Sequence, residues 1–248
     1  MLNRLMTSLG LRKEELYSPE FYAKQQARSR TSARAVLPIL LKYIEPRSAI
    51  DVGCGVGTWA AELASLGVEA DGIDGEYVLQ NELQISRERF RPIDLEQLPS
   101  SETIGRYDLA ICMEVAEHLR AENGPALVDF LIGLAPNILF GAAIPGQGGR
   151  NHINERWQSY WVSLFEERGF HCHDVIRSAV WSDAGVEPWY AQNAFLFTQD
   201  PRPHLAGSGI PIDVVHPRTF MRKRKRTRKE KREGLPYSAP YEDKPARR

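Results

Sequence analysis

Asp51-Val52-Gly53-Cys54-Gly55-Val56-Gly57-Thr58 decides how the rest of the chain is read. It joins Ser48-Ala49-Ile50-Asp51-Val52, which reads as a buried strand, to residues 58–66, which read as a helix ended by Gly67. Glycines at such a turn let the backbone bend tightly and approach a ligand with no Cβ in the way. The spacing is G-x-G-x-G with an acid two residues ahead, not the G-x-G-x-x-G of dinucleotide sites. Asp51 would repel a pyrophosphate and suits a cationic cofactor or an ammonium group, which points away from dinucleotide and phosphate loops.

Outward from this turn, short apolar runs alternate with amphipathic stretches. Residues 68–73, 90–93, 107–113, 137–143, 171–176 and 193–198 read as six more strands, making seven. Helices are expected over 121–134 and 154–168. Two more are expected ahead of the first strand: a polar one opened by Pro19 and carrying Phe21, Tyr22 and Gln26, and a more apolar one over 32–44. That alternation implies an α/β fold. Residues 181–190 contain Asp183, Gly185 and Pro188 and read as a loop, so Trp181, Trp189 and Tyr190 are candidates for a substrate wall. Trp157, Tyr160 and Trp161, at helical spacing, read mostly as core.

The 248 residues suffice for one such domain and a tail. A composition of 42% hydrophobic and 26% charged residues excludes wholesale disorder. Cys54, Cys112 and Cys172 are too few and too scattered for a disulfide scaffold, and no C-x-x-C pair suggests a zinc ribbon. The most apolar stretch, 126–145, is broken by Asp129 and Pro136-Asn137 and reads as helix then strand, so no transmembrane segment is expected. The opening residues lack the apolar core and cleavage site of a signal peptide, which makes the cytoplasm the expected location.

A formal net charge of zero conceals a split. Residues 218–248 hold 13 Lys+Arg against 4 Asp+Glu, a surplus of +9 balanced by −9 over the remaining 217 residues. Pro201, Pro203, Gly207, Gly209 and Pro211 mark a linker over 200–217, and 218–248 reads as a basic, disordered tail. Residues 218–232 are suited to a polyanion (RNA, DNA or anionic lipid) through counterion release, or to localisation or solubility. Within 221–232 no aromatic residue is interleaved among the charges, so there is no platform for stacking bases.

The glycine segment resembles motif I of class I S-adenosylmethionine-dependent methyltransferases, and the landmarks of that family follow in order. Gly72-Ile73-Asp74 ends the second strand, Asp94-Leu95 follows the third, and Tyr107-Asp108-Leu109-Ala110-Ile111-Cys112-Met113-Glu114 matches the fourth-strand motif. The resemblance covers about residues 17–198. It implies a Rossmann-like, seven-stranded, mostly parallel sheet with helices on both faces. The core would span 49–199, with N-terminal helices over 1–48 lidding the cofactor site. Tyr17, Phe21 and Tyr22 would close that site or simply pack. The resemblance further implies that Asp51, Gly53, Gly55 and Gly57 hold the methionine part of S-adenosyl-L-methionine, and that Asp74 accepts both ribose hydroxyls. Asp94 would take the adenine amino group beside the Leu95 backbone N–H, and Glu114 would touch the cofactor. Strand alternation favours Asp74 over Asp71, which is expected to cap or face solvent. Cys54 reads as a small filler, its thiol kept protonated by Asp51.

Glu114-x-x-Glu117-His118 lies just past the fourth strand and His152 just past the fifth, where open α/β sheets bind ligands. Two carboxylates and two imidazoles there can hold a divalent metal, or His118 or His152 can take a hydroxyl proton directly, oriented by Glu117. E-x-x-E-H also resembles ubiquinone-pathway O-methyltransferases and small-RNA 2′-O-methyltransferases. The latter resemblance implies Mg²⁺ or Mn²⁺ on Glu114, Glu117, His118 and His152. The glycine-rich loop before His152 resembles bacterial small-molecule or glycan methyltransferases instead. The expected function is O-methylation of a small molecule or sugar. The alternatives are a metal-assisted RNA methyltransferase using the basic tail and a non-catalytic cofactor-binding scaffold.

Overall fold

The computed structural model describes residues 19–223, apart from 79, 203–204 and 206–209. Its seven strands are β1 (Ser48–Val52), β2 (Glu69–Asp74), β3 (Phe90–Pro92), β4 (Leu109–Met113), β5 (Asn137–Gly141), β6 (His171–His173) and β7 (Phe195–Thr198). They form one sheet in the order β3-β2-β1-β4-β5-β7-β6. β1 to β5 pair in parallel, and β7 enters antiparallel to both its neighbours. The order reverses between β1 and β4, which opens a crevice at the carboxyl ends of those strands.

The helices are α1 (Pro19–Leu40), α2 (Thr58–Ser65), α3 (Ser101–Ile104), α4 (Gly124–Leu134), α5 (Gln158–Glu166), α6 (Arg177–Val180), α7 (Pro188–Asn193) and α8 (Pro217–Lys223). Ile50, Val52, Ala110, Cys112, Ile138 and Phe140 pack with α4 and α5 on one face. Ala49, Leu109, Ile111 and Leu139 pack with α1, α2, α6 and α7 on the other. Because both faces are covered, the strands read as nearly continuous apolar runs. Phe165 stacks on Phe197 at 4.0 Å and meets Phe140 edge-on at 5.3 Å, contacts worth about 0.5–1.5 kcal/mol each beyond burial. No helix among the described residues is long and apolar enough to cross a membrane.

Three local readings differ from the structure. The two N-terminal helices are one, because Pro38 falls in the last turn of α1, where its missing N–H removes a single bond near the helix end. Tyr17 lies outside the described residues, as do the side chains of Phe21 and Tyr22. The stretch 181–190 is not all loop. Pro188, pre-set for a first helical turn, starts α7, and Tyr190 is buried edge-on against Trp59 at 5.2 Å, so it is a packing residue and not a substrate wall. Trp181 lies against the ring of His216 at 4.5 Å.

The third difference is the linker. From Ile210 to Arg218 the chain is docked. The fully buried Arg177 donates to the carbonyls of Pro211 (3.0 Å) and Ile212 (2.9 Å) while pairing with Asp174. Ser159 donates twice to Asp213, Gln158 donates to the Val214 carbonyl, and the His216 N–H donates to Gln192 Oε1 at 2.8 Å. Arg218, the first residue assigned to the tail, donates to the carbonyls of Asp183, Ala184 and Val186. Proline and glycine content signals irregular backbone. Whether that backbone finds partners is decided by residues far away in sequence. Residues 224–248, with most of the basic run, lie outside the described residues.

Candidate active site

Gly53, Gly55 and Gly57 carry φ of 78°, 54° and 81°, the left-handed region that glycine enters without strain. Gly53 also needs the space, because a Cβ there would run into the side chain of Val115. The Gly53 and Cys54 amides donate to the Ile73 carbonyl at 2.8 and 3.1 Å, which fastens the turn to the tip of β2. At that tip Asp74 accepts from the Gly55 N–H (2.7 Å), the Gly75 N–H (2.6 Å) and the Tyr77 hydroxyl. Asp51 is 4% exposed, and its Oδ2 has no hydrogen-bond partner among the described residues. Burial, then the charge of Asp74, pushes the Asp51 carboxyl up to about 7, offset only in part by the Ala60 N–H. Burial also raises Asp74, with its three hydrogen bonds pulling it back. Two buried acids at one turn, one with an oxygen unpartnered, make a site for a cation. Burial and these acids push the Cys54 thiol well up, so it is inert filler.

Asp71 does not face solvent as expected. It accepts from Tyr107 Oη at 2.7 Å and pairs with Arg89 and Arg91, which ties β2 to β3 and leaves Asp71 away from the strand tip. Asp94 is exposed after β3, its Oδ1 accepting from the Glu96 N–H at 3.0 Å, and Leu95 beside it is buried.

The second cluster forms where β4 and β5 end. Glu114 has φ 59°, one of two non-glycine residues with positive φ among those described. The other is Asn151, beside His152. Such backbone costs on the order of 1–2 kcal/mol and marks places where position outweighs comfort. Asn193 and Gln147 donate to the two oxygens of Glu114 at 2.9 and 2.5 Å, and Gln192 joins both amides. Glu117 is fully buried, and neither carboxylate oxygen has a hydrogen bond of normal geometry, although the Ala143 amide and the Glu114 carboxyl lie near. Burial, then the charge of Glu114, pushes Glu117 well above the usual carboxylate range, while burial raises Glu114 to about 7. The amides of Ile153 and Asn154 donate to the Glu117 carbonyl (2.9 and 3.1 Å) and bring His152 alongside. His152 Nε2 stands 3.9 Å from Glu117 Oε1, and the His118 and His152 rings meet edge-on at 4.9 Å. Surrounding protein first, and His152 second, hold the His118 imidazole below its ordinary value, although His118 lies on the exposed rim.

One ligand atom from each of Glu117, His118 and His152 lies within 4.8 Å of the others, a donor set that fits a divalent cation. Glu114, the fourth expected ligand, is outside this group, its oxygens held by Asn193 and Gln147. Those two amides and Gln192 were missed in sequence. They lie 33 to 79 residues from Glu114, and only the adjacent polar pair Gln192-Asn193 ahead of an apolar strand hinted at them.

A family profile described as "Methyltransferase domain" matches residues 22–178, more than half of the chain. The chain belongs to the methyltransferase-domain family. Among curated members, the ubiquinone biosynthesis O-methyltransferase of Bordetella avium (strain 197N) is 30% identical over 105 residues, covering 36% of this chain and 42% of that protein. The methyltransferase-domain chain thus spans about two fifths of that relative's length. The methyltransferase domain of bacterial CtHen1-C superposes with a TM-score of 0.51 at 20% identity, over 70% of this chain and all of that one. Magnesium protoporphyrin IX methyltransferase (ChlM) from Synechocystis PCC 6803 with bound SAH gives 0.50 at 19%, over 71% and 85%. These likenesses show the shared fold.

Proposed function

We propose that the chain is an S-adenosylmethionine-dependent methyltransferase of the cytoplasm that methylates a hydroxyl of a small molecule or sugar. The observation that carries this reading is Asp51, a buried carboxylate with an unpartnered oxygen beside a left-handed glycine turn at the sheet's switch point. When bound, S-adenosylmethionine would supply a sulfonium-activated methyl group for transfer to the acceptor oxygen. Asp51 receives the cofactor's ammonium group, Asp74 the ribose hydroxyls and Asp94 the adenine amino group. His152, with Glu117 behind it and His118 at the rim, takes the acceptor's hydroxyl proton. Pro145, Glu155, Trp157 and Tyr160 line an open surface cleft of about 310 Å³ beside this loop.

Glu117, His118 and His152 would also hold Mg²⁺ or Mn²⁺, which would lower the pKa of the acceptor hydroxyl. EDTA then abolishes turnover and either ion restores it, whereas full activity in EDTA assigns the proton to histidine alone. Within the cofactor site, Asp74→Ala is expected to weaken S-adenosylmethionine binding about tenfold to a hundredfold, the worth of charged hydrogen bonds. Asp71→Ala should leave it within twofold, and calorimetric titration giving equal losses would reverse the assignment. The function itself is tested with methyl-labelled S-adenosylmethionine and a cell extract. Label in small molecules or glycans supports it, and label in nucleic acid overturns the acceptor class.

A further inference from the structure

We propose that Glu155 is a positioning residue that holds the His152 proton on Nδ1 and so keeps Nε2 as the nitrogen offered to the acceptor oxygen or to a cation. The role of that nitrogen rests on the reading of His152 given above.

Glu155 Oε1 stands 3.1 Å from His152 Nδ1, and the same oxygen accepts from the Gly148 N–H. Its Oε2 accepts from the Gly146 N–H at 2.7 Å. Both oxygens of Glu155 already accept from backbone N–H groups, and a carboxylate can only accept, so the ring nitrogen facing it must donate. An imidazole is told which nitrogen to protonate by the partner of the other, and a charged acceptor is the stronger instruction. Both ends of the loop are pinned. Ile153 and Asn154 are bonded to Glu117, and the Arg156 amide donates to the Ala143 carbonyl at 3.1 Å.

The opposite edge of the ring is left uncommitted. Nε2 is 3.9 Å from Glu117 Oε1, beyond hydrogen-bond length. Gly149 runs so close along that edge that a Cβ there would occupy the place of Nε2. The glycines of Gly146-Gln147-Gly148-Gly149 therefore do two jobs: Gly146 and Gly148 offer amides to Glu155, and Gly149 leaves room for the ring. Glu155, three residues past His152, was not singled out in the sequence, because its link to the site is made through the loop's backbone.

The test is long-range ¹H–¹⁵N correlation on the full chain carrying ¹⁵N-histidine, at pH 8 without cofactor, with the His152 signals assigned by His152→Gln. A pyrrole-type shift for Nδ1 and a pyridine-type shift for Nε2 are expected in the wild type. Glu155→Ala should move the proton to Nε2. Glu155→Gln, whose amide oxygen can still accept, should retain Nδ1–H and recover much of the turnover that the alanine variant loses, about tenfold to a hundredfold. A wild-type proton on Nε2, or Nδ1–H persisting in Glu155→Ala, would overturn the proposal. If the alanine variant does not fold, the wild-type spectrum decides alone. The spectrum needs no acceptor, so a chain with the expected tautomer and no methyl transfer would refute the enzymatic reading and not the role of Glu155.

Discussion

Asp51→Asn is expected to weaken S-adenosylmethionine binding at least about tenfold at pH 8, the loss of a charged partner for the ammonium group, while raising the melting temperature of the cofactor-free chain by a few degrees. The two effects share one cause. In the folded chain, burial and Asp74 raise the Asp51 carboxyl from 3.8 to about 7. Between those values the folded state holds a proton that the unfolded state has released, so stability falls as pH rises through this window. Above pH 7 the full cost is present. A shift of roughly three units corresponds to about 4 kcal/mol, from which an asparagine with its own unmet hydrogen bonds would recover only part. The gain in melting temperature should therefore appear at pH 8 and vanish at pH 4, where wild-type Asp51 is already neutral. Cofactor affinity has the opposite sign. Binding that needs the carboxylate weakens by up to tenfold per unit below pH 7 in the wild type, and this slope flattens in Asp51→Asn. Calorimetry at pH 4 and 8, with titrations at intermediate pH, checks all three statements. A variant that loses stability at pH 8 while keeping its affinity would mean that Asp51 has a partner within the protein.

Glu117→Gln is expected to lower kcat by about 10²- to 10³-fold with cofactor affinity within twofold, the scale of removing a group that serves proton transfer. Glu117 lies beside His152, on the segment after β4 and not within the glycine turn after β1, which is why binding and turnover should separate. It is fully buried with both oxygens lacking hydrogen bonds of normal geometry, an arrangement that costs stability unless another species completes it. Glutamine keeps the volume but can neither ionise nor exchange a proton, so a loss of turnover reports on the acid's proton chemistry and not on packing. His152→Ala should cost a similar factor, and the double variant little more, because residues acting as one unit are not additive. Glu117→Gln with wild-type turnover would make Glu117 a structural acid and leave His152 to act without it. A parallel collapse of cofactor affinity would instead signal a disrupted sheet edge.

Much of the glycine-turn cluster was legible because its signals are local. A glycine turn that requires positive φ must be written in consecutive residues, and Asp74 was placed by alternation along β2. The same alternation left Asp71 to cap or face solvent. Its partners Arg89, Arg91 and Tyr107 lie 18 to 36 residues further on, and no periodicity reaches that far. In the second cluster, Glu114, Glu117, His118 and His152 were brought to notice by type and by position after β4 and β5. What holds them was not: Gln147, Gln192 and Asn193 around Glu114, and Glu155 on His152.

The sequence by itself determined the α/β class, the strands of a doubly covered sheet, the glycine turn and the acids around it. Covered strands must be apolar, a left-handed turn demands glycine, and a strand tip is the last polar position before a loop. Tertiary structure alone decided that Glu114 is held by amides while neither Glu117 oxygen has a hydrogen bond of normal geometry among the described residues, and that Nδ1 of His152 faces a carboxylate. It also decided that the stretch from Ile210 to Arg218 is fastened to the core through Arg177, Ser159 and Gln192. Apart from His152 and Glu155, three residues apart and brought together by the loop's backbone, these are matches between donors and acceptors distant in sequence. A buried polar group is satisfied by whatever folding brings within about 3 Å, and no local pattern encodes that.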